Sequence, residues 1–535
     1  MNASLIWLLA APPLLFLILG FAPSSWAARS PALVARCARW TASGAVIAAL
    51  IAAAAVWRHG PFGSGLAGAA GLGLRLSCDA LTAAMLIVVA VVGWVVVSFS
   101  RNYLDGDPEQ GRFFQWLSLT LAAVLGLILS GNLVQLALAW IATSLCLHRL
   151  LVFYRDRPKA RLAAHKKFLI SRLGDLSLLG ALALIYSAFG SLDLDVIAGA
   201  ARRLRESGAD LGLLHGAAAL IVASALLKSA QFPFHGWLPE VMETPTPVSA
   251  LLHAGIINAG GFLILRLSDV VALSTPALDV LAIVGGFTAL FGSVVMLTQT
   301  SVKVSLAWST VAQMGFMLLQ CGLGAFSSAM LHIVAHALYK AHAFLSSGSI
   351  IDLARAAWVP AATGRPHPLR LACVLAGVGA LTAGIGTLFG ASLTETPGVF
   401  ALGFILLMGL TQLIEASLRG QPTPGVVARV AGLAVAVAVA YFALQRGAEA
   451  LLAGALPANQ ALRGPLDLAI VALAVLSFAL VTVMQSVLPH RSADALWASL
   501  YVHVHNGFYV NAFANRLLRR VWRTPQRTLN QGAEA

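Results

Sequence analysis

Apolar runs long enough to cross a bilayer recur along this chain from end to end. Fifteen can be drawn, near 4–20, 41–57, 78–99, 114–129, 132–153, 168–190, 213–230, 247–270, 277–297, 302–322, 327–347, 369–391, 399–417, 425–443 and 466–488. A spanning helix needs about 20 apolar residues, with a working range of about 17–25. In hydrocarbon each backbone polar group must find its partner within the protein, which such runs achieve as helices. Only 10% of the 535 residues are charged, against about 25% in a soluble protein. The expectation is an all-α polytopic membrane protein with about 13–15 transmembrane helices.

The formal net charge of +14 does not point to nucleic acid, because the basic residues sit in short loops between spans. The positive-inside rule accounts for them. The runs RDRPKARLAAHKK (155–167) and RLLRRVWRTPQR (516–527) then face the cytoplasm, with the C-terminus. Fifteen spans with the N-terminus outside also place Arg29, Arg36 and Arg39 there. Arg202, Arg203 and Arg205 fall outside in this scheme, as on an interfacial helix. The first run, followed by SSWA, resembles a signal peptide but lacks a basic n-region, so it is read as the first span. Five cysteines (Cys37, Cys78, Cys146, Cys321 and Cys373) show no paired spacing. No disulfide framework, zinc site or iron–sulfur cluster is expected, and no cofactor in this chain.

Four regions follow. Residues 1–113 are N-terminal spans, 114–351 hold the polar exceptions, 352–489 return to apolar spans, and 490–535 form a basic tail with helical periodicity, fit for a membrane surface or a partner. None of the loops is long enough to fold as a soluble domain. No Gly-rich phosphate loop and no Ser/His/Asp arrangement occurs, so no catalytic site is expected here and a soluble substrate would need another subunit.

The densest exception is KSAQFPFHGWLPEVMETPTPVSALLHAGIINA (228–259), with one lysine, two glutamates, two histidines and four prolines. A charged side chain at the bilayer centre costs about 2.5–3.5 kcal/mol on insertion scales. Prolines free backbone carbonyls, which membranes tolerate only inside protein or beside a water-filled cavity. A broken helix in an ion path fits both. The chain has six lysines, Lys159, Lys166, Lys167, Lys228, Lys303 and Lys340. Lysine exchanges its proton more readily on burial than arginine does, which suits a relay. Lys303, at the start of a span, fits a relay and interfacial snorkelling equally.

His332, His336 and Lys340 recur at i, i+4 and i+8 and share a helix face, as a proton or water wire requires. His342 lies off that stripe. A zinc reading of the two histidines fails on Ile333, where HExxH has glutamate. Packed-helix hydrogen bonds are the plainer alternative. Arg172 and Asp175, three apart, form a local ion pair, with Lys228 a candidate neighbour. His253 is placed to exchange a proton with Lys228. His148 and Arg149 end a span and fit anchoring at the boundary.

The 228–255 segment, with TQTSVKVSLAWSTVAQMGFM (298–317) and LHIVAHALYKAHAFLSSGSII (331–351), resembles the antiporter-like subunits shared by respiratory complex I and Mrp-type cation/proton antiporters. The resemblance covers about 110–350. It implies two inverted five-helix repeats, each with a broken helix, and a proton path over Lys228, His253, Lys303, His332, His336 and Lys340. Two departures stand out. The family's Trp-Glu is here Trp140-Ile141, leaving Asp175, or less favourably Glu240, to replace the glutamate. The later broken stretch, GIGTLFGASLTETPG (384–398), has no lysine, and Glu395 is its nearest ionisable group. The long lateral helix of the respiratory subunit is not found either.

These departures, with 140–175 and the YVHVHNGFYV tail, are similar to an offshoot of that family, the membrane subunits of DAB inorganic-carbon accumulation complexes. That resemblance implies a bacterial inner-membrane location and a DabA-like soluble partner holding zinc. It also implies coupling of a cation gradient, protons being the expected cation, to CO2 hydration or bicarbonate accumulation. A respiratory NADH dehydrogenase or Mrp antiporter subunit is the alternative.

Overall fold

The computed structural model describes residues 2–154, 157–208, 211–349, 367–392, 395–418, 423–461, 463–487 and 495–521. In chain order the first helices are α1 (Asn2–Gly20), α2 (Pro31–His59), α3 (Ala80–Tyr103), α4 (Gln110–Ile128) and α5 (Leu133–Leu151). Then come α6 (Pro158–Phe189), α7 (Leu194–Ser207), α8 (Leu213–Lys228), α9 (Thr246–Ala254) and α10 (Ala259–Arg266). α11 (Thr275–Met296), α12 (Val302–Gly322), α13 (Phe326–Leu345) and α14 (Pro368–Leu388) follow. The last are α15 (Pro397–Met408), α16 (Thr411–Ser417), α17 (Pro424–Leu452), α18 (Pro465–Val487), α19 (Ala495–His505) and α20 (Val510–Val521). Among the described residues, the strands are two short antiparallel hairpins between 62 and 78.

Among the described residues, twelve helices, counting α9–α10 and α15–α16 as one each, are long and apolar enough to span a membrane. Two shorter apolar helices match α1 and α8, and α13 carries the histidine stripe. Each expected run therefore has its helix. The ends are set by local chemistry. Asp79 caps α3 by accepting the Thr82 N–H at 2.7 Å, and Asn132 caps α5 by accepting the Val134 N–H at 3.0 Å. Proline occupies the first turn of α2, α6, α9, α11, α14, α15 and α17, where its missing N–H leaves no bond unmade.

The proline-rich stretch breaks the helix as its sequence requires. α8 stops at Lys228, three short turns cover Phe234–Glu243, and a 3-10 turn at Ile256–Asn258 parts α9 from α10. Side chains take up the freed backbone groups. The Phe232 N–H donates to Thr288 Oγ1 at 3.1 Å, Gln231 Nε2 to the Ser229 carbonyl at 2.8 Å, and Ser229 Oγ to the Ile257 carbonyl at 3.2 Å. The C-terminal half repeats the plan. α14 stops at Leu388, α15 enters on Pro397, and the span is interrupted between Met408 and Thr411.

Helix directions alternate. The N-terminus of α6 and the tail helices thus share one membrane face, called here the tail face. The opposite, far face pairs its arginines with carboxylates. Arg75 meets Asp193 at 2.6 Å, and Arg266 meets Asp79 at 2.7 Å. Burial pushes the Asp79 carboxyl up, but Arg266 and the Thr82 N–H more than offset this and hold it below its usual range. The basic residues that break the charge rule lie on α7, an amphipathic helix with Leu194, Ile197 and Ala201 buried. Arg202 and Arg205 both pair with Asp269, at 3.0 and 2.7 Å.

α11 and α12 approach so closely that glycine is required. A Cβ on Gly315 would lie 2.5 Å from the Ala289 nitrogen, and one on Gly285 2.6 Å from the Leu319 nitrogen. Overpacking a fitted core costs about 1–3 kcal/mol, and here the obstacle is backbone. Gly315→Val is expected to lower the denaturant midpoint of the detergent-solubilised protein clearly, with Gly377→Val, where a Cβ meets nothing within 4 Å, as the control.

Candidate functional site

Two buried polar clusters lie in the bundle, one around Lys228 and one around the α13 stripe. Lys228 ends α8 and is 6% exposed. Its ammonium donates to the Trp140 carbonyl on α5 at 3.3 Å and lies 4.2 Å from the centroid of the Trp140 ring. Both contacts stabilise a cation away from water. Asp175, on α6, acts on Lys228, Arg172 and Lys167 electrostatically. Its pairing with Arg172 spans 2.7 Å. Lys167 lies eight residues before Asp175 on α6 and donates to the Ser144 carbonyl and hydroxyl, both at 2.9 Å. Asp175 thus sits among three basic groups. Glu240 is not part of this cluster.

The second cluster joins α9, α12 and α13. His253 Nδ1 is 3.0 Å from Thr310 Oγ1, its ring stacks on Phe344 at 4.3 Å, and its Nε2 has no hydrogen-bond partner. Lys340, fully buried, donates to the Leu306 carbonyl at 2.9 Å and acts electrostatically on His253 and His336. His336 is one turn from His332, with ring centroids 6.1 Å apart, and neither of its ring nitrogens is partnered. Four of the six path candidates are therefore together. Lys303 stands apart at the tail face, donating to Thr246 Oγ1 at 2.9 Å. Among the described residues no hydrogen bond joins Lys228 to His253.

The remaining candidates separate. Glu395 is exposed in the turn before α15, its backbone N–H donating to Ser392 Oγ at 3.3 Å. A buried carboxylate of that half is Glu415 on α16, paired with Arg370 at 2.8 Å. Sequence reasoning missed Glu415, which lies outside the 384–398 stretch that the family resemblance singles out. It also missed Lys166 and Lys167, which belong to a basic run read as a cytoplasmic loop. Their place beside the apolar run that begins at Phe168 is the signal that was available.

Glu240 has its own partners. Lys166 Nζ lies 2.8 Å from Oε2, Asn515 Nδ2 donates to Oε1 at 2.6 Å, and Asn511 Nδ2 donates to the same oxygen. Asn511 and Asn515 are i, i+4 on the tail helix α20, which rests so closely on the broken segment that a Cβ on Gly236 would strike Asn511. α19 holds on beside it. His505 Nδ1 and the Tyr501 hydroxyl reach the Thr298 carbonyl at 2.9 and 3.0 Å. The tail is thus fastened to the helix break through Glu240. Hydrogen bonds to a charged group contribute about 1.5–3 kcal/mol each. Asn511→Ala with Asn515→Ala is expected to raise the rate of trypsin cleavage at Arg516 and Arg520 at least tenfold, followed by mass spectrometry of the purified protein. An unchanged rate would show that α20 is held by other contacts.

Compared with protein-family models, residues 130–359 match the transmembrane family described as NADH:quinone oxidoreductase/Mrp antiporter. Residues 67–114 match the N-terminus of NADH-ubiquinone oxidoreductase (complex I) chain 5. Among curated proteins, the chain is 40% identical over 524 residues to the probable inorganic carbon transporter subunit DabB2 of Halothiobacillus neapolitanus, covering 96% of this chain and 94% of that one. It is 37% identical to the probable inorganic carbon transporter subunit DabB of Hydrogenovibrio crunogenus, covering 82% of each. Chain 5 of the NAD(P)H-quinone oxidoreductase of Synechocystis is 40% identical, over 51% of this chain and 40% of that one. Among solved structures, the Mrp complex from Dietzia sp. superposes with a TM-score of 0.64 at 24% identity, over 97% of this chain and 60% of that chain, which establishes a shared fold. By its identity along nearly the whole of both chains, this chain belongs to the DabB family of inorganic carbon transporter subunits.

Proposed function

We propose that this chain is the proton-conducting membrane subunit of a two-component inorganic carbon transporter. The single observation that carries the reading is Lys228. In a family of inorganic carbon transporter subunits, a lysine at a helix break is buried against Trp140 and faces Asp175. Intramembrane ionisable groups at that cost mark ion pathways.

In this reading the tail face is cytoplasmic, in a bacterial inner membrane. Protons move down their gradient through His332, His336, Lys340 and His253, pass to the Lys228 cluster, and leave toward the cytoplasm, with Lys303 at that face. Arg172 and Asp175 modulate Lys228, since protonation of any member of the cluster alters the field on the others. The soluble partner is a DabA-like zinc protein resembling carbonic anhydrases, docked on the cytoplasmic face. The chemistry of carbon belongs to that partner. The energetics are adequate. One charge moved through 100 mV supplies about 2.3 kcal/mol, which at about 1.4 kcal/mol per factor of ten sustains roughly a fifty-fold gradient of product per proton.

A subunit of a respiratory NADH dehydrogenase or an Mrp-type antiporter is the second reading, favoured by the 40% identity over half the chain to chain 5 of the quinone oxidoreductase. A growth test separates the two. Expressed with its genomic neighbour in cells lacking carbonic anhydrase, the chain is expected to restore growth in air, and a protonophore to abolish the uptake. Lys228→Ala and Asp175→Asn are each expected to remove the rescue. Rescue by Lys228→Ala would end the conduction reading. A neighbourhood of dehydrogenase genes with no rescue would favour the second.

A further inference from the structure

The turn between α19 and α20 is set below the tail-face ends of the spans it touches. Gly507, Phe508 and Tyr509 take φ values of 56°, 49° and 60°, a left-handed run that glycine alone adopts freely. The turn rests on the bundle. A Cβ on Gly507 would lie 3.4 Å from the Trp308 ring, and the Phe508 and Phe291 ring centroids are 6.2 Å apart. Phe291 is five residues from the end of α11, and Trp308 is six from the start of α12. At about 1.5 Å per residue, both lie about 7–9 Å inside the helix ends. Phe291 also continues the outer stripe of its span. Val280, Ile283 and Phe287 on α11 are each about half-exposed, and the Phe287 ring stacks on Phe291 at 6.0 Å.

α20 leaves this turn with two stripes facing away from the protein. Asn511, Asn515 and the buried Leu518 face the bundle, the two asparagines bonding Glu240. Phe513 and Leu517, four residues apart, are 73% and 55% exposed. Arg516 and Arg520, also four apart, are exposed on the adjoining stripe. Neighbouring apolar side chains left outside mark an interaction surface. No acidic residue occurs between 495 and 521, so the charge of this surface favours an anionic cover.

We propose that α20 lies in the headgroup layer of the tail-face leaflet, with Phe513 and Leu517 among acyl chains and Arg516 and Arg520 on the phosphates of anionic phospholipids. Interfacial helices sink their apolar face about 5–10 Å into the boundary between headgroups and chains, which is the depth at which the Phe508 turn brings α20 in. A soluble partner is the competing cover, but the turn adjoins the outer stripe of α11, which lipid faces in a spanning helix. Anionic lipid then holds α20 from one side and Glu240 from the other. The proposal stands on this placement and is independent of the conduction reading.

The test reconstitutes the full chain in nanodiscs of phosphatidylcholine, with or without phosphatidylglycerol. In a variant whose five cysteines are replaced and which still supports uptake with its partner, Phe513→Cys carries an environment-sensitive nitrobenzoxadiazole. Its emission is expected to move to shorter wavelength in the anionic discs and to be quenched by lipids brominated on their acyl chains. Arg516→Gln with Arg520→Gln is expected to weaken that response, since each arginine near an anionic surface contributes roughly a factor of five. A probe that acyl-chain bromine reaches in neither lipid would overturn the proposal. A probe that stays in water until the soluble partner is added would assign the surface to the partner instead. A second arm uses the wild-type chain. Trypsin cleavage at Arg516 and Arg520 is expected to be at least tenfold slower in the anionic discs than in phosphatidylcholine alone, and high salt is expected to shrink the difference. Equal rates in the two lipids would remove the anionic headgroup from the proposal and so overturn it.

Discussion

Lys228 must be kept as a cation donor away from water, and much of the bundle is arranged around that requirement. An isolated charge in hydrocarbon is costly, so its burial at 6% exposure demands local substitutes for hydration. The Trp140 carbonyl, the Trp140 ring and the Asp175 carboxylate provide them. The carbonyl and ring come from a single residue of α5, so α5 cannot slide along α8 without losing both. Three basic groups face one carboxylate here. Binding or loss of a proton anywhere in the cluster therefore changes the field at all of its members.

That arrangement depends on backbone placed by proline and glycine. The break after Lys228 frees polar groups that Thr288, Gln231 and Ser229 take up. Thr288 lies on α11, the helix that glycine contacts seat against α12. α12 in turn brings Thr310 to His253 and the Leu306 carbonyl to Lys340. The packing of two bland helices thus fixes both polar clusters. A methyl group at Gly315 would act at a distance on chemistry it does not touch.

The sequence carried the spans, because a run of about 20 apolar residues has one low-energy form in lipid. It also carried the break at 228–245, where proline density allows no continuous helix. The Arg172–Asp175 pair and the His332–His336–Lys340 stripe followed from helical spacing alone. Other features rest on long-range pairing, which spacing cannot show. Glu240 is an unmatched carboxylate in the sequence, and only folding brings Lys166, Asn511 and Asn515 to it across more than 70 and 270 residues. Lys303 was ambiguous for the opposite reason. Its place at the first turn of α12 is compatible with two roles, and its bond to Thr246 leaves it at the tail face.

On the proposed path, the step between Lys228 and His253 is made without a hydrogen bond between them among the described residues. A chain of hydrogen bonds would let protons run through without moving the protein. Two clusters with no hydrogen bond between them need either intervening water or a shift of the segment between them to exchange a proton. That segment, 229–252, holds three short helical turns between α8 and α9. It also carries Glu240, to which the tail is fastened. A movement that brings the clusters into exchange therefore pulls on α20 at the surface of the protein. On the proposed reading, proton exchange between the clusters and the position of the tail meet in one short, proline-rich stretch, because Glu240 in it holds α20.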